Sequence, residues 1–282
     1  MASSPSSPST PLRRSARNMG GSDTSPLPLA HLVGAVVDRS GSMDSMGNAP
    51  PEQMCSQMAQ LKDEAEKTGV ATFMTIVTFD DVAETFMNNV QLDGNDELPS
   101  FSEFQKSLRP RGMTRFYDTV YESLDALEDR RDEFLSGLAP MARKLNPKVV
   151  CSLLVLTDGA DNTSVTHTRH SVATRMAKAR ANGVNAIFLA ANIDAGTEGA
   201  ALGFAKQATV QMGASYEGAS QCMRAVSAGL RQASSGTTDV DYSQMASQSP
   251  ACPPADGSLR PSAPPFGSTP PPMPPMPLLR RY

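Results

Sequence analysis

The sequence predicts an α/β fold: a doubly wound, mostly parallel six-stranded sheet with helices on both faces and one antiparallel edge strand. Two observations carry this. Residues 32–37 (LVGAVV) and 149–156 (VVCSLLVL) are continuous apolar runs rich in β-branched residues, as in strands buried on both faces of a parallel sheet. Such runs alternate with stretches whose apolar residues recur every three or four positions, the helix period. Regular alternation of strand and helix gives right-handed crossovers and a sheet covered on both sides.

The elements follow in order. Strand one is 32–37. Met54, Met58, Leu61 and Ala65 recur at spacings of 4, 3 and 4 and mark an amphipathic helix. Residues 71–79 are a second buried strand, Asp80-Asp81 a turn, and 82–87 its antiparallel edge partner. Residues 101–108 suit a short helix. From Arg115 a long helix carries Tyr117, Val120, Tyr121, Leu124 and Leu127 on one stripe, and Asn146-Pro147 closes that region before strand four. Residues 172–181 are helical and stop at Asn182-Gly183, a left-handed cap. Residues 184–191 are strand five, 200–206 helical and 209–212 a short sixth strand. Met223, Val226 and Leu230 mark a closing helix.

The 282 residues include 23 Pro, which crowd into the two ends. Removing them leaves 29–236, a common size for one α/β domain. Residues 1–28 are a Ser/Pro-rich basic arm with few large apolar residues, too few to offset the entropy of ordering. Ser4, Ser7, Thr10 and Ser25 each precede Pro there, the context of proline-directed phosphorylation, although the composition asks for no more than a solvated arm. Residues 237–282 are a Pro-rich low-complexity tail. Its APPFGSTPPPMPPMPLLRRY stretch favours polyproline II, which suits either a semi-rigid spacer or a Pro-recognition domain.

Charge and cysteines narrow the function classes. Net charge is −4; the first arm carries +2 and the tail is neutral, so the central domain holds −6. An acidic core without a basic stripe argues against nucleic acid. Cys55, Cys151, Cys222 and Cys252 form no C-x-x-C pair, which points away from a disulfide framework or zinc site and toward an intracellular protein. Neither a signal peptide nor a membrane-spanning run is visible.

Five residues then stand out. Asp38, Ser40 and Ser42 lie in VVDRSGSM directly after strand one. Asp158 closes VVCSLLVLTDG directly after strand four, and Thr114 in RGMTRFYD opens the long helix. Strand ends in an open α/β sheet are where ligands bind. Gly41 lets the backbone fold so that Ser40 and Ser42 face one point. Singly, such residues are ordinary turn and cap formers; together they form one candidate metal site.

The set D-x-S-x-S (Asp38-Arg39-Ser40-Gly41-Ser42), Thr114 and Asp158 resembles the metal-ion-dependent adhesion site of the von Willebrand factor A (VWA) domains, in the same order. The resemblance covers about residues 30–235. It implies an Mg2+ ion, or another divalent cation such as Mn2+, bound directly by the Ser40 and Ser42 hydroxyls, with Asp38 and Asp158 orienting bound waters. Thr114 is implied to bind in the ligand-competent state. It also implies a partner protein that presents Asp or Glu to the ion, and no catalysis.

The alternative is a structural subunit of a large assembly, a virus particle or cytoskeletal array, with neighbouring subunits tied by the arms. A metal-dependent hydrolase would need a base beside the ion, for which Arg39, Asp44 and Asp161 are the loop candidates. Asp44 and Asp161 read as solvated loop residues, and His167 and His170 as a solvated helix start. Gly196-Thr-Glu-Gly199 lacks the P-loop Lys, Cys151 would be a poor buried nucleophile, and the 16 Met residues read as packing.

Overall fold

The structure, a computed structural model, describes residues 27–237 and 240–248. One sheet holds β1 (Ala30–Asp38), β2 (Ala71–Phe79), β3 (Ala83–Gln91), β4 (Val149–Thr157), β5 (Val184–Ala190) and β6 (Thr209–Gln211). The strand order is β3-β2-β1-β4-β5-β6. All neighbours are parallel except β2 with β3, so the expected architecture and its antiparallel edge are the ones observed. Central β1 is buried along its whole length, which is why its sequence runs apolar without alternating.

Eight helices are described: α1 (Ala49–Thr68), α2 (Phe101–Ser107), α3 (Phe116–Gly137), α4 (Pro140–Lys144), α5 (Arg169–Ala181), α6 (Ala195–Ala201), α7 (Tyr216–Ser234) and α8 (Tyr242–Ser247). Helices α1, α2, α7 and α8 share one core with Val33, Val37, Leu154 and Ile187. Helices α3, α5 and α6 share the other with Leu32, Val36, Leu153 and Phe188. Odd and even residues of one strand thus feed opposite cores, the period of two of a strand.

Four sequence expectations need correction. The edge strand runs to Gln91 rather than 87; register shifts opposite Ile76 and Asn89 at φ 50° interrupt its pairing, and the polar Asn88-Asn89 hid its second half. The helix expected at 200–206 lies at Ala195–Ala201. Asp194 caps it by accepting from the Thr197 amide, and Gly203 at φ 84° ends it. Its glycines disguised it, although Gly199 has a packing reason: a Cβ there would stand 2.8 Å from Thr209 Oγ1. Cys55 and Cys151 are free thiols but Cys222 is disulfide-bonded, a bond that the reading against a disulfide framework did not anticipate. Disulfide pairing depends on Cα separation in space, which sequence spacing does not reveal.

The fourth correction moves the domain boundary. Helix α8 falls after residue 236, in the segment expected to be tail, yet Tyr242 is fully buried and Val240 and Ala246 join the core. The Tyr242 hydroxyl accepts from Asn185 Nδ2 at 2.5 Å. Its ring lies against Gly229 of α7, where a Cβ would collide with Tyr242 Cε1. Its six residues, YSQMAS, are too few to show a helical period. Residues 1–26, with their phosphorylation candidates, and the Pro-rich stretch from 249 lie outside the described residues. Among the described residues no helix is long and apolar enough to cross a membrane.

Two outcomes are expected from this packing. Tyr242→Ala should cost ~3–5 kcal/mol of unfolding free energy, the usual loss for a fully buried aromatic. Urea unfolding measures it, and an unchanged midpoint would return the boundary to 236. The second concerns His31, which is fully buried with Nε2 2.9 Å from Ser152 Oγ and Nδ1 without a partner. Burial pulls its pKa down from 6.5 to about 4. The unfolded chain therefore takes up a proton below about pH 6.5 and the folded chain only near pH 4. The His31 contribution to stability should fall by about 3 kcal/mol as pH drops through that window, so the stability difference between wild type and His31→Gln should change by about that amount across it.

Candidate metal centre

Chain order reverses between β1 and β4, and a crevice opens beyond the strand ends at such a switch point. Asp38 is the last residue of β1, and Asp158 follows Thr157, the last of β4. The register pairs Val37 with Leu156, so both carboxylates leave the sheet at nearly the same level.

Beyond Asp38 the chain turns at once into a 3-10 helix, Gly41–Met46, whose start the D-x-S-x-S pattern occupies. The Ser40 amide donates to Asp38 Oδ1 at 2.7 Å, tying the turn to the strand end. Ser40 Oγ lies 3.2 Å from Ser42 Oγ, and Ser42 Oγ donates to Asp158 Oδ1 at 2.7 Å. Thr114 faces the same place from the loop before α3: a Cβ built at Gly159 would lie 3.9 Å from both Ser42 Oγ and Thr114 Oγ1. Asp38, Ser40, Ser42, Asp158 and Thr114 thus come together at one sheet edge. All are buried except Ser42, which is exposed.

Three residues that the sequence reading passed over complete the geometry. Thr157 Oγ1 donates to Asp38 Oδ2 at 2.6 Å. Asn192, at φ 56° after β5, reaches Asp158 Oδ2 with its Nδ2 at 3.3 Å. Asn162 Oδ1 accepts from the Thr114 amide at 2.8 Å, while the Asn162 amide donates to the Thr114 carbonyl at 3.0 Å. The position of Thr157 and Asn192 at strand ends on the same edge was the one available signal.

The electrostatics are unusual. Asp38 is 1 % exposed and Asp158 2 %, and the hydrogen-bond partners of both carboxylates are hydroxyl, amide and carboxamide groups, with no cationic side chain among them. Burial pushes the Asp38 carboxyl up to about 6, against the opposing hydrogen bonds from Thr157 and Ser40, and Asp158 adds to the rise. Burial also raises Asp158, with Ser42 and Asn192 opposing. Two buried carboxylates held close without a cation are an unbalanced arrangement. Two carboxylates and three hydroxyls form a hard-oxygen donor set, which suits Mg2+ or Mn2+ rather than a His/Cys metal. No cluster of three or more His, Cys, Asp or Glu occurs among the described residues.

The candidates for a catalytic base are placed otherwise. Asp161 Oδ1 accepts from the Phe116 and Tyr117 amides at 2.8 and 3.1 Å, which makes it the N-terminal anchor of α3 rather than a solvated loop residue. Arg39 turns away from the crevice toward Asp80. Asp44 is exposed in the 3-10 turn. His167 stacks on Tyr121 with ring centroids 3.7 Å apart.

No protein-family model and no curated protein matches the chain. Similar solved structures include proximal thread matrix protein 1 of the mussel byssus with a zinc-occupied MIDAS motif, at 18% identity and a TM-score of 0.44, covering 73% of this chain and 46% of that one. The PilB minor pilin of Streptococcus sanguinis is 14% identical with a TM-score of 0.48, covering 74% and 64%. The SpRpn10 VWA domain is 11% identical with a TM-score of 0.45, covering 70% and 95%. The chain therefore spans about half of the mussel protein. Likenesses this distant carry no argument about function, and the fold rests on the strand order itself.

Thr157→Val tests the wiring of the Asp38 carboxylate. Loss of the 2.6 Å donor removes support for the charged form, so in metal-free protein the Asp38 carboxyl should titrate above its value of about 6. Carboxyl-carbon NMR follows it; a downward shift would contradict the arrangement.

Proposed function

We propose that this chain is a metal-dependent protein-binding module. A divalent ion, Mg2+ or Mn2+, would be held by Ser40, Ser42 and Thr114 with Asp38 and Asp158, and a partner protein would present an Asp or Glu to it. The observation that carries this reading is the meeting of two buried, uncompensated carboxylates with three hydroxyls at the switch point of the sheet. Bound there, the ion supplies positive charge that attracts an external carboxylate. Ser42, the exposed member, marks the side from which a partner reaches the site. The resemblance to the adhesion site of VWA domains supports the same reading.

Within it the chain's own residues have separate tasks. The Ser40 and Ser42 hydroxyls are neutral donors, so they hold an ion without cancelling its charge. Asp38 and Asp158 balance charge from the strand ends, each oriented by its own hydroxyl partner, Thr157 or Ser42. Thr114 is fixed through its backbone to Asn162, which leaves its hydroxyl available. The folded domain, extended to include α8, would carry the site, and the Pro-rich sequence of the C-terminal tail would offer a ligand for a Pro-recognition domain.

Thermal unfolding provides the test. Mg2+ or Mn2+ at a hundredfold excess over Kd should stabilise the protein by about 2.7 kcal/mol, and chelator should reverse the shift. Asp38→Ala should abolish the ion-dependent part and keep the circular dichroism of the parent, because it deletes a buried carboxylate whose charge the metal-free fold disfavours. A shift that survives in Asp38→Ala would place the ion elsewhere.

A further inference from the structure

We infer that Arg39, Asp80, Arg111 and Glu84 form a clamp that positions the Thr114 loop over the metal centre and thereby sets the affinity for the divalent ion. This rests on the metal-binding reading above, and adds residues that would not touch the ion.

The clamp is built from chain segments on three sides of the site. Arg39 stands between Asp38 and Ser40 in sequence, but its side chain leaves the crevice and is 3 % exposed. Its Nε donates to Asp80 Oδ2 at 3.0 Å, and its Nη1 lies 2.8 Å from Glu84 Oε2 and 3.2 Å from the Ser107 carbonyl. From the loop before α3, Arg111 repeats the pattern: Nε donates to the same Asp80 oxygen at 2.6 Å and Nη2 to Glu84 Oε1 at 3.0 Å. One buried carboxylate oxygen thus accepts from two guanidinium groups, one on the D-x-S-x-S segment and one on the loop that bears Thr114. Charge-assisted bonds of this kind are the strong ones, and a guanidinium fork fixes direction as well as distance.

Backbone bonds run in parallel. The Arg111 amide donates to the Arg39 carbonyl at 2.8 Å, the Gly41 amide to the Gly112 carbonyl at 3.2 Å, and the Arg115 amide to the Asp80 carbonyl at 2.9 Å. The Met113 amide donates to Asp81 Oδ1 at 3.1 Å. Gly112 sits at φ 66°, and a Cβ there would meet Asp81 Oδ2 at 2.6 Å, so the loop presses close against the β2–β3 turn. Movement of Thr114 toward or away from the site would therefore disturb this turn. Arg111 is the weak member, its side chain 55 % exposed against 3 % for Arg39 and Asp80. Its removal would loosen the loop at the side-chain level and leave the backbone bonds and the buried Arg39–Asp80 pair in place.

The experiment measures Mn2+ affinity by calorimetry and amide hydrogen exchange of residues 111–114 in the metal-free full chain. Arg111→Ala should weaken Mn2+ binding up to about fivefold, the scale of a half-exposed ion pair, and should speed exchange in the loop. In a Thr114→Ala background the same change should alter affinity less than about twofold, because coupled residues are not additive. Glu84→Gln should act in the same direction as Arg111→Ala, and Arg130→Ala, a surface ion pair elsewhere, should do nothing. Wild-type affinity in Arg111→Ala, or an equal loss with and without Thr114, would overturn the clamp while leaving the metal reading in place. Failure of the wild-type chain to bind Mn2+ would overturn both.

Discussion

The structure turns on the placement of two acidic side chains at one point where the sheet changes direction. Because β1 and β4 are adjacent and parallel, their final residues emerge together, and Asp38 and Asp158 share one edge. Both are buried, and like charges brought together out of water raise each other's cost of ionisation. Hydroxyls from Thr157 and Ser42 and the Ser40 amide offset part of that cost without supplying positive charge. The two acids are thus held in place by neutral partners alone among the described side chains.

The surrounding loops are organised to hold this edge still. Asp118, fully buried, accepts from the Val165, Thr166 and His167 amides and pairs with Arg115. Those hydrogen bonds outweigh its burial, the largest influence on it, and hold its carboxyl below the ordinary range. Asp161 bonds the first amides of α3, where the helix dipole favours an acid. Asn162 closes on Thr114 from the other side. Three acidic or amide side chains thus stitch the β4–α5 loop to the start of α3, and their cost is local because each satisfies backbone amides that would otherwise lack partners.

How much of this the sequence disclosed follows from the range of each interaction. The strands were legible because burial on both faces imposes a continuous apolar run, as in 149–156, and the end of a run places the residue that follows it. That reasoning put Asp38 and Asp158 at strand ends on one edge, where the structure also has them, and the order of D-x-S-x-S, Thr114 and Asp158 brought in the hydroxyls. It missed Asn192 and Asn162, whose roles depend on loop paths that no periodicity records. It also missed α8, since a single buried Tyr242 filling the notch at Gly229 is a pairwise fit across the fold rather than a pattern along it. Helix α6 was misplaced for a related reason: its glycines read as loop, yet Gly199 is there because β6 comes too close for a side chain.

The character of the donor set decides what an ion at this edge would do on the proposed reading. Carboxylates cancel a divalent charge; hydroxyls do not. With Ser40, Ser42 and Thr114 supplying neutral oxygens and only two acids behind them, the bound ion keeps an appetite for one more anionic ligand. The acids that meet at this edge are each already engaged. Asp38 is engaged by Thr157 and the Ser40 amide, Asp158 by Ser42 and Asn192, and Asp161 by the amides of α3. Arg39, next to Asp38 in sequence, is turned outward to Asp80, so it neither neutralises the acids nor competes with the ion. On the proposed reading, such a site would attract an external carboxylate and hold the partner that presents it.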